Sequence, residues 1–197
     1  MKIKNIIDKT VSFILKRLSE LVGVSLLIFS MLFLASLISY SPEDPNFIFP
    51  ENAEVKNLMG SRGSYISDIF YQSLGLISLL VPISLFFISL KVIIEKKILH
   101  IIESIFFIIL YSITGTLFFT VFHTETFWLT INGNNGFIGN LFEESFFINF
   151  INYNHKISYL ILIFLISFFF LLSINFKFKS LSYISKIFYK FKKTPSK

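Results

Sequence analysis

Four stretches of about 20 residues contain no Asp, Glu, Lys, Arg or His: Leu21–Tyr40, Ile69–Leu90, Ser104–Phe122 and Ile157–Phe176. Coiled as helix, each reaches about 30 Å, the thickness of a bilayer's hydrocarbon core. Residues 54% hydrophobic and 18% aromatic carry more apolar surface than a soluble domain of 197 residues can bury. In hydrocarbon every backbone N–H and C=O needs an internal partner, which helices provide within one segment. Barrel strands would be shorter and would alternate. The expected fold is therefore an all-α integral membrane protein with four transmembrane helices. With helix ends included, the spans are expected at 21–40, 66–90, 98–122 and 157–176, inside a membrane domain covering 20–176.

Charge gives the orientation. Of the 18 Lys+Arg, only Lys56, Arg62 and Lys156 fall between spans one and two or three and four. The other fifteen lie before the first span, between the second and third, or after the fourth. Lys and Arg accumulate on the cytoplasmic side, so both termini are expected there (N-in/C-in). The net charge of +6 is then a topology signal more than a nucleic-acid one. A cleaved signal peptide is excluded by the length of the first apolar run, the lack of an A-x-A site and Pro42 after Ser41. Tyr40, Tyr65, Trp128, Tyr153 and Tyr159 fall near the outer boundaries, where aromatic rings straddle the headgroups. The chain has no cysteine, so thiolate chemistry and disulfides are excluded.

The flanking segments are basic and amphipathic. In 1–19, Ile3, Ile6, Ile7, Val11, Ile14 and Leu18 recur at helical spacing opposite Lys2, Lys9 and Lys16, which predicts a short cytoplasmic surface helix. In 177–197, Leu181, Ile184, Phe188 and Phe191 oppose Lys186, Lys190 and Lys193, the pattern of a helix on an anionic leaflet. Thr194–Lys197 reads as the start of a linker. Such segments serve as topology anchors or as relays to a cytoplasmic partner.

The outer loops are more distinctive. Ser41-Pro42-Glu43-Asp44-Pro45-Asn46 is a constrained turn just after a helix, with two prolines fixing the backbone. Asn57 to Ser64 supplies Gly60 and Gly63 ahead of the second span. Gly133, Gly136 and Gly139 precede Leu141–Phe147, which reads as an amphipathic surface helix. No Gly-Lys-Ser/Thr follows these glycines, so they do not form a phosphate loop.

Chemistry-bearing residues are sparse. Glu103 stands near the start of the third span; it is either a proton or cation site or an interfacial carboxylate paired with Lys96, Lys97 or His100. His100, His123 and His155 sit in separate flanks and make no metal-ligand pattern. Asp68 reads as a cap at the start of the second helix, and Pro82 as a kink inside it. Gly75 and the pairs Ala35/Ser39 and Ser112/Thr116 permit close helix approach. Three functions compete: a membrane interaction module, a small four-helix carrier using Glu103, and an intramembrane enzyme. The enzyme lacks any nucleophile–base pair.

These motifs, in order, resemble the N-terminal four-helix membrane region of the FtsK/SpoIIIE DNA translocases across roughly residues 20–175. Ser39-Tyr40-Ser41-Pro42-Glu43-Asp44-Pro45 is similar to that family's turn after the first span. Asn57, Gly60, Gly63, Asp68, Gly75 and Pro82 stand where the family has its Asn, glycines, Asp and in-span proline, with Ser64 replacing an alanine and Leu74 an aromatic. Gly133, Gly136 and Gly139 match its glycine-rich outer loop. The resemblance implies the anchoring and septum-targeting part of a translocase acting in bacterial cell division and chromosome segregation, in the inner membrane at the septum. Its implied partners are membrane lipid, other division-site membrane proteins and further copies of the chain. DNA and ATP would be engaged only through a motor domain, and no Gly-x-x-x-x-Gly-Lys-Ser/Thr occurs in these residues. No catalytic, cofactor or metal residue is expected; the candidate interaction residues are those named in the three loop motifs and the second span.

Overall fold

A computed structural model describes residues 2–45, 54–123, 129, 131–143 and 145–176. The expectations for Asn46, Trp128, Glu144, the 177–197 amphipathic segment and its linker lie outside these residues. Every described element is helical: α1 Lys2–Ile38, α2 Gly60–Leu74, α3 Leu80–Glu95, α4 Leu99–Phe122, α5 Gly136–Phe142, α6 Phe146–Tyr153 and α7 His155–Ser173. A 3-10 turn, Gly75–Leu79, joins α2 to α3. Four stretches are long and apolar enough to cross a membrane: Ile7–Ile38, Gly60–Glu95, Leu99–Phe122 and His155–Ser173.

Three boundaries differ from the expectation. The amphipathic N-terminal segment is helical but continues without a break into the first span, because nothing between Lys2 and Ile38 is a proline and the lone Gly23 packs helically against Ile93. Around Glu20, which pairs with Lys96 in the α3–α4 connection and with Arg17 at 2.7 Å, α1 passes the end of the bundle. The second helix begins at Gly60, eight residues before Asp68, so Asp68 is mid-helix and caps nothing. The surface helix expected over Leu141–Phe147 is two short helices, α5 and α6, with the interruption falling inside the expected range.

α1 packs on α3, α3 on α4 and α4 on α7, while α5 lies against α2 and α4. The buried core runs through Phe33, Leu37, Tyr71, Ile88, Val92 and Tyr111. Leu160, Phe164 and Phe168 of α7 and Ile28, Met31 and Leu32 of α1 point outward, as side chains facing acyl chains do. Some polar atoms inside the bundle are paired between helices: Ser84 Oγ with Tyr111 Oη at 3.2 Å and with Ser173 Oγ at 2.8 Å. Asn175 donates to Ser104 Oγ at 3.2 Å. In lipid such bonds hold neighbouring helices where hydrophobicity alone does not distinguish them.

Candidate functional site

At the end of the bundle reached by Tyr40, the connections fold into a cap. Its first half is keyed by Asp44. The Ser41–Asp44 turn closes with the Asp44 N–H donating to the Ser41 carbonyl at 3.2 Å. The Asp44 carboxylate then accepts the backbone N–H groups of Lys56 at 2.8 Å and Asn57 at 2.9 Å. One side chain thus joins the two ends of the first connection. Asn57 in turn donates to the Ser36 carbonyl at 2.9 Å, an acceptor that α1 leaves open as it ends. The Ser36 hydroxyl donates to the Gly63 carbonyl and the Ser64 hydroxyl to the Pro45 carbonyl, both at 2.7 Å. Gly63 has no side chain because Asn57 and Met59 lie directly over its α-carbon.

Asp68 accepts from the Tyr40 hydroxyl at 3.2 Å and from Gln72 at 3.4 Å, while the Tyr71 hydroxyl donates to the Leu37 carbonyl at 3.0 Å. The Tyr40 and Tyr71 bonds tie α2 to the end of α1, and the Gln72 bond lies within α2. Asp44, Asn57 and Asp68 are only 2%, 4% and 6% exposed, so their polar groups are spent inward. They build a surface without themselves being on it. What they present outward is Glu43, Val55, Lys56 and the 72% exposed Leu58. Lys56 pairs with Glu43, which holds that carboxyl below the usual carboxylate range and the ammonium above its own.

The second half of the cap is the α4–α7 connection, and it meets the break in the second span. Gly75 has φ +70° and ψ −150°, a conformation that L side chains avoid, and it ends α2. Leu76 N–H is thereby diverted from the helix and donates to the Asn134 carbonyl at 3.0 Å. The Gln72 carbonyl, left free, is taken by the Asn132 side chain at 3.2 Å. The loop therefore supplies a donor and an acceptor for the two backbone groups that the break releases. The backbones touch closely: a Cβ on Gly136, itself at φ +65°, would stand 2.5 Å from Gly75 N. Asn135 fastens the other side by donating to Asn140 at 2.6 Å and to Thr120 of α4 at 3.3 Å, and Gly139 admits that Thr120 hydroxyl. Gly133 of the same loop is left-handed too, at φ +73°.

Pro82 occupies the third residue of α3, where its missing N–H removes no bond from the helix interior. The bend expected there is instead taken up by the 3-10 turn that precedes it. Thus the predicted residues form two clusters, Ser41–Pro45 with Asn57, Gly60, Gly63 and Asp68, and Gly75 with Gly133, Gly136 and Gly139; Pro82 joins neither. Ser36, Gln72 and Asn132 complete the cap and escaped the sequence reading. Asn132 alone had a signal, standing beside the glycine-rich run as Asn134 and Asn135 do.

At the opposite end, Glu103 is 59% exposed and lies 3.3 Å from His100 Nδ1, whose Nε2 is 2.7 Å from Glu95. Its carboxylate sits on the rim of the bundle and not in its interior, the arrangement of an interfacial group. His123 and His155 lie against the rings of Phe118 and Phe122, packing the end of α4 on the start of α7.

The sequence from residue 15 to 184 matches the profile of the 4TM region of DNA translocase FtsK/SpoIIIE. The chain belongs to this family. It is also similar to DNA translocase FtsK of Rickettsia bellii (strain RML369-C), 35% identical over 68 residues, 34% of this chain and 9% of that protein. With DNA translocase FtsK of Rickettsia typhi (strain ATCC VR-144 / Wilmington) the identity is 40% over 50 residues, 25% of this chain and 7% of the relative. The matched stretch is thus less than a tenth of the curated relatives' length. No solved structure matches. The chain is therefore a multi-pass membrane domain of the FtsK/SpoIIIE type, the membrane part and not the motor.

Proposed function

We propose that this domain anchors a DNA translocase in the bacterial inner membrane and directs it to the division septum, serving cell division and chromosome segregation. The family match supports the anchoring. The observation that carries the targeting is the cap: its buried polar residues hold one backbone shape, and a preorganised surface loses little freedom on binding. Leu58 and Val55, apolar and exposed beside the Glu43–Lys56 pair, are the contact surface offered to other division-site membrane proteins. Further copies of the chain are the other partner class, and DNA and ATP would be engaged only through a translocase motor domain.

Replacing Leu58 by Asp tests the surface without touching the interior bonds. Membrane insertion and the helical spectrum are expected to persist while septal localisation of a fluorescent fusion falls to background. Retention of septal signal in this variant and in one with Ser41–Asn46 exchanged for Gly/Ser would end the targeting role of the cap. The orientation proposed is N-in/C-in, from the Lys+Arg distribution. Reporters fused after Lys56, Lys97, Asn135 and Lys197 should read outside, inside, outside, inside; any other order reverses the cap's side and removes it from contact with outer-face partners.

A further inference from the structure

Between α1 and the first turns of α2 lies a groove of about 230 Å³, walled by Phe29, Leu32, Phe33 and Ile66. Its floor is apolar in effect, because the Ser36 hydroxyl on it is already committed to the Gly63 carbonyl. Gly63, which has no room for a side chain beneath Asn57 and Met59, also lines the groove. Arg62 also lines the groove, and it has no ion-pair partner among the described residues, whereas Lys56 of the same connection is paired. Phe29, Leu32 and Ile66 are exposed, so the groove opens on the lipid side of the bundle.

We propose that this groove holds an anionic phospholipid of the leaflet at the cap end, its phosphate on the Arg62 guanidinium and one acyl chain along Phe29, Leu32 and Ile66. The dimensions agree: Phe29 to Ser36 is about 10 Å of helix, against about 15 Å for one leaflet's hydrocarbon. The bond between Ser36 and Gly63 fixes the start of α2 at the last turns of α1, which brings Arg62 to headgroup level. A planar guanidinium matches a phosphate with two parallel N–H donors, and at a half-dry boundary such charge-assisted bonds gain strength. An unpaired cation next to an apolar slot fits a phospholipid in a way that it does not fit a purely apolar helix from a neighbour. The inference holds for either orientation of the chain, so it stands or falls separately from the targeting role.

The test uses the intact chain in nanodiscs of equal phosphatidylcholine and phosphatidylglycerol, released and weighed by native mass spectrometry. The wild type should retain phosphatidylglycerol preferentially, and Arg62→Gln should lower that retention about tenfold, the loss of one charge-assisted contact. Arg62→Lys should fall between them, and Leu32→Trp, which fills the slot and leaves the charge, should also lose the lipid. Lys156→Gln, a control at the same end of the bundle, should change nothing. Circular dichroism confirms that each variant folds, and Leu32→Trp with Arg62→Lys decides the matter if Arg62→Gln does not. Equal retention of phosphatidylcholine, undiminished retention in the folded Arg62 variants, an equal loss in Lys156→Gln, or cross-linking of Leu32 to a second copy would each overturn the proposal.

Discussion

The Gly75→Ala chain is expected to fail to accumulate as a folded membrane protein. A Cβ there would run into the Asn134 carbonyl, 2.6 Å from its carbon and 2.8 Å from that of Asn135. Neither is the movable end of a side chain; both belong to the backbone that satisfies the helix break. Relaxing the clash separates Leu76 from Asn134 and Gln72 from Asn132, leaving bare backbone groups at the edge of hydrocarbon. Backbone strain together with overpacking amounts to about 4 kcal/mol, a large part of the stability of an ordinary domain. Gly60→Ala is the comparison: its φ is +66° but nothing lies within 4 Å of the added carbon. That substitution should cost about 1 kcal/mol, the left-handed penalty alone. Unfolding of both variants in mixed micelles measures the gap. A Gly75→Ala protein as stable as Gly60→Ala would mean that the loop and the break do not depend on each other.

Asp44→Ala is expected to destabilise the cap by about 3 kcal/mol, since one buried and one part-buried backbone N–H lose a charged acceptor at once. Asp44→Asn keeps one carbonyl oxygen and should lose roughly half as much. Protease sensitivity of the Glu54–Met59 stretch gives a local readout, because this is the segment that Asp44 holds. Removing the exposed partner, by Lys56→Ala, should leave that sensitivity as it was: the backbone N–H of residue 56 persists and the lost ion pair is solvated. Equal behaviour of Ala and Asn at position 44 would show that the one oxygen asparagine keeps holds neither N–H on its own.

The spans were legible because hydrocarbon tolerates so few charges that an uncharged run of sufficient length has one reading. Their ends were not, since a helix stops where its backbone finds other partners, and those partners are remote in sequence. Asp68 looked like a cap because it opens the apolar run, yet polar Ser61, Arg62 and Ser64 extend the same helix to Gly60. Gly75 looked like a small residue for close packing and proved to be the break itself, which depends on Asn132 and Asn134 almost sixty residues away. Pro82 signalled a departure from regular helix and displaced it by only a few residues. Of the candidate site, the residue types were readable, but their inward direction was not: Asp44 and Asn57 resemble surface turn residues until the bonds across the connection are seen.

The meeting of Gly75 with Gly136 also sets a timetable. The second span leaves the ribosome about sixty residues before the loop that completes it, so for that interval Leu76 N–H and the Gln72 carbonyl have no loop partners. Until then α2 and α3 can run on as one helix, because glycine at position 75 is free to adopt the ordinary right-handed conformation. Insertion can therefore proceed with a plain continuous span, and the bent form is selected only after the third span has entered and delivered its following loop to the same face. The second half of the cap is in this sense a completion mark: it forms only once α4 and the loop that follows it have been delivered to the break in the second span.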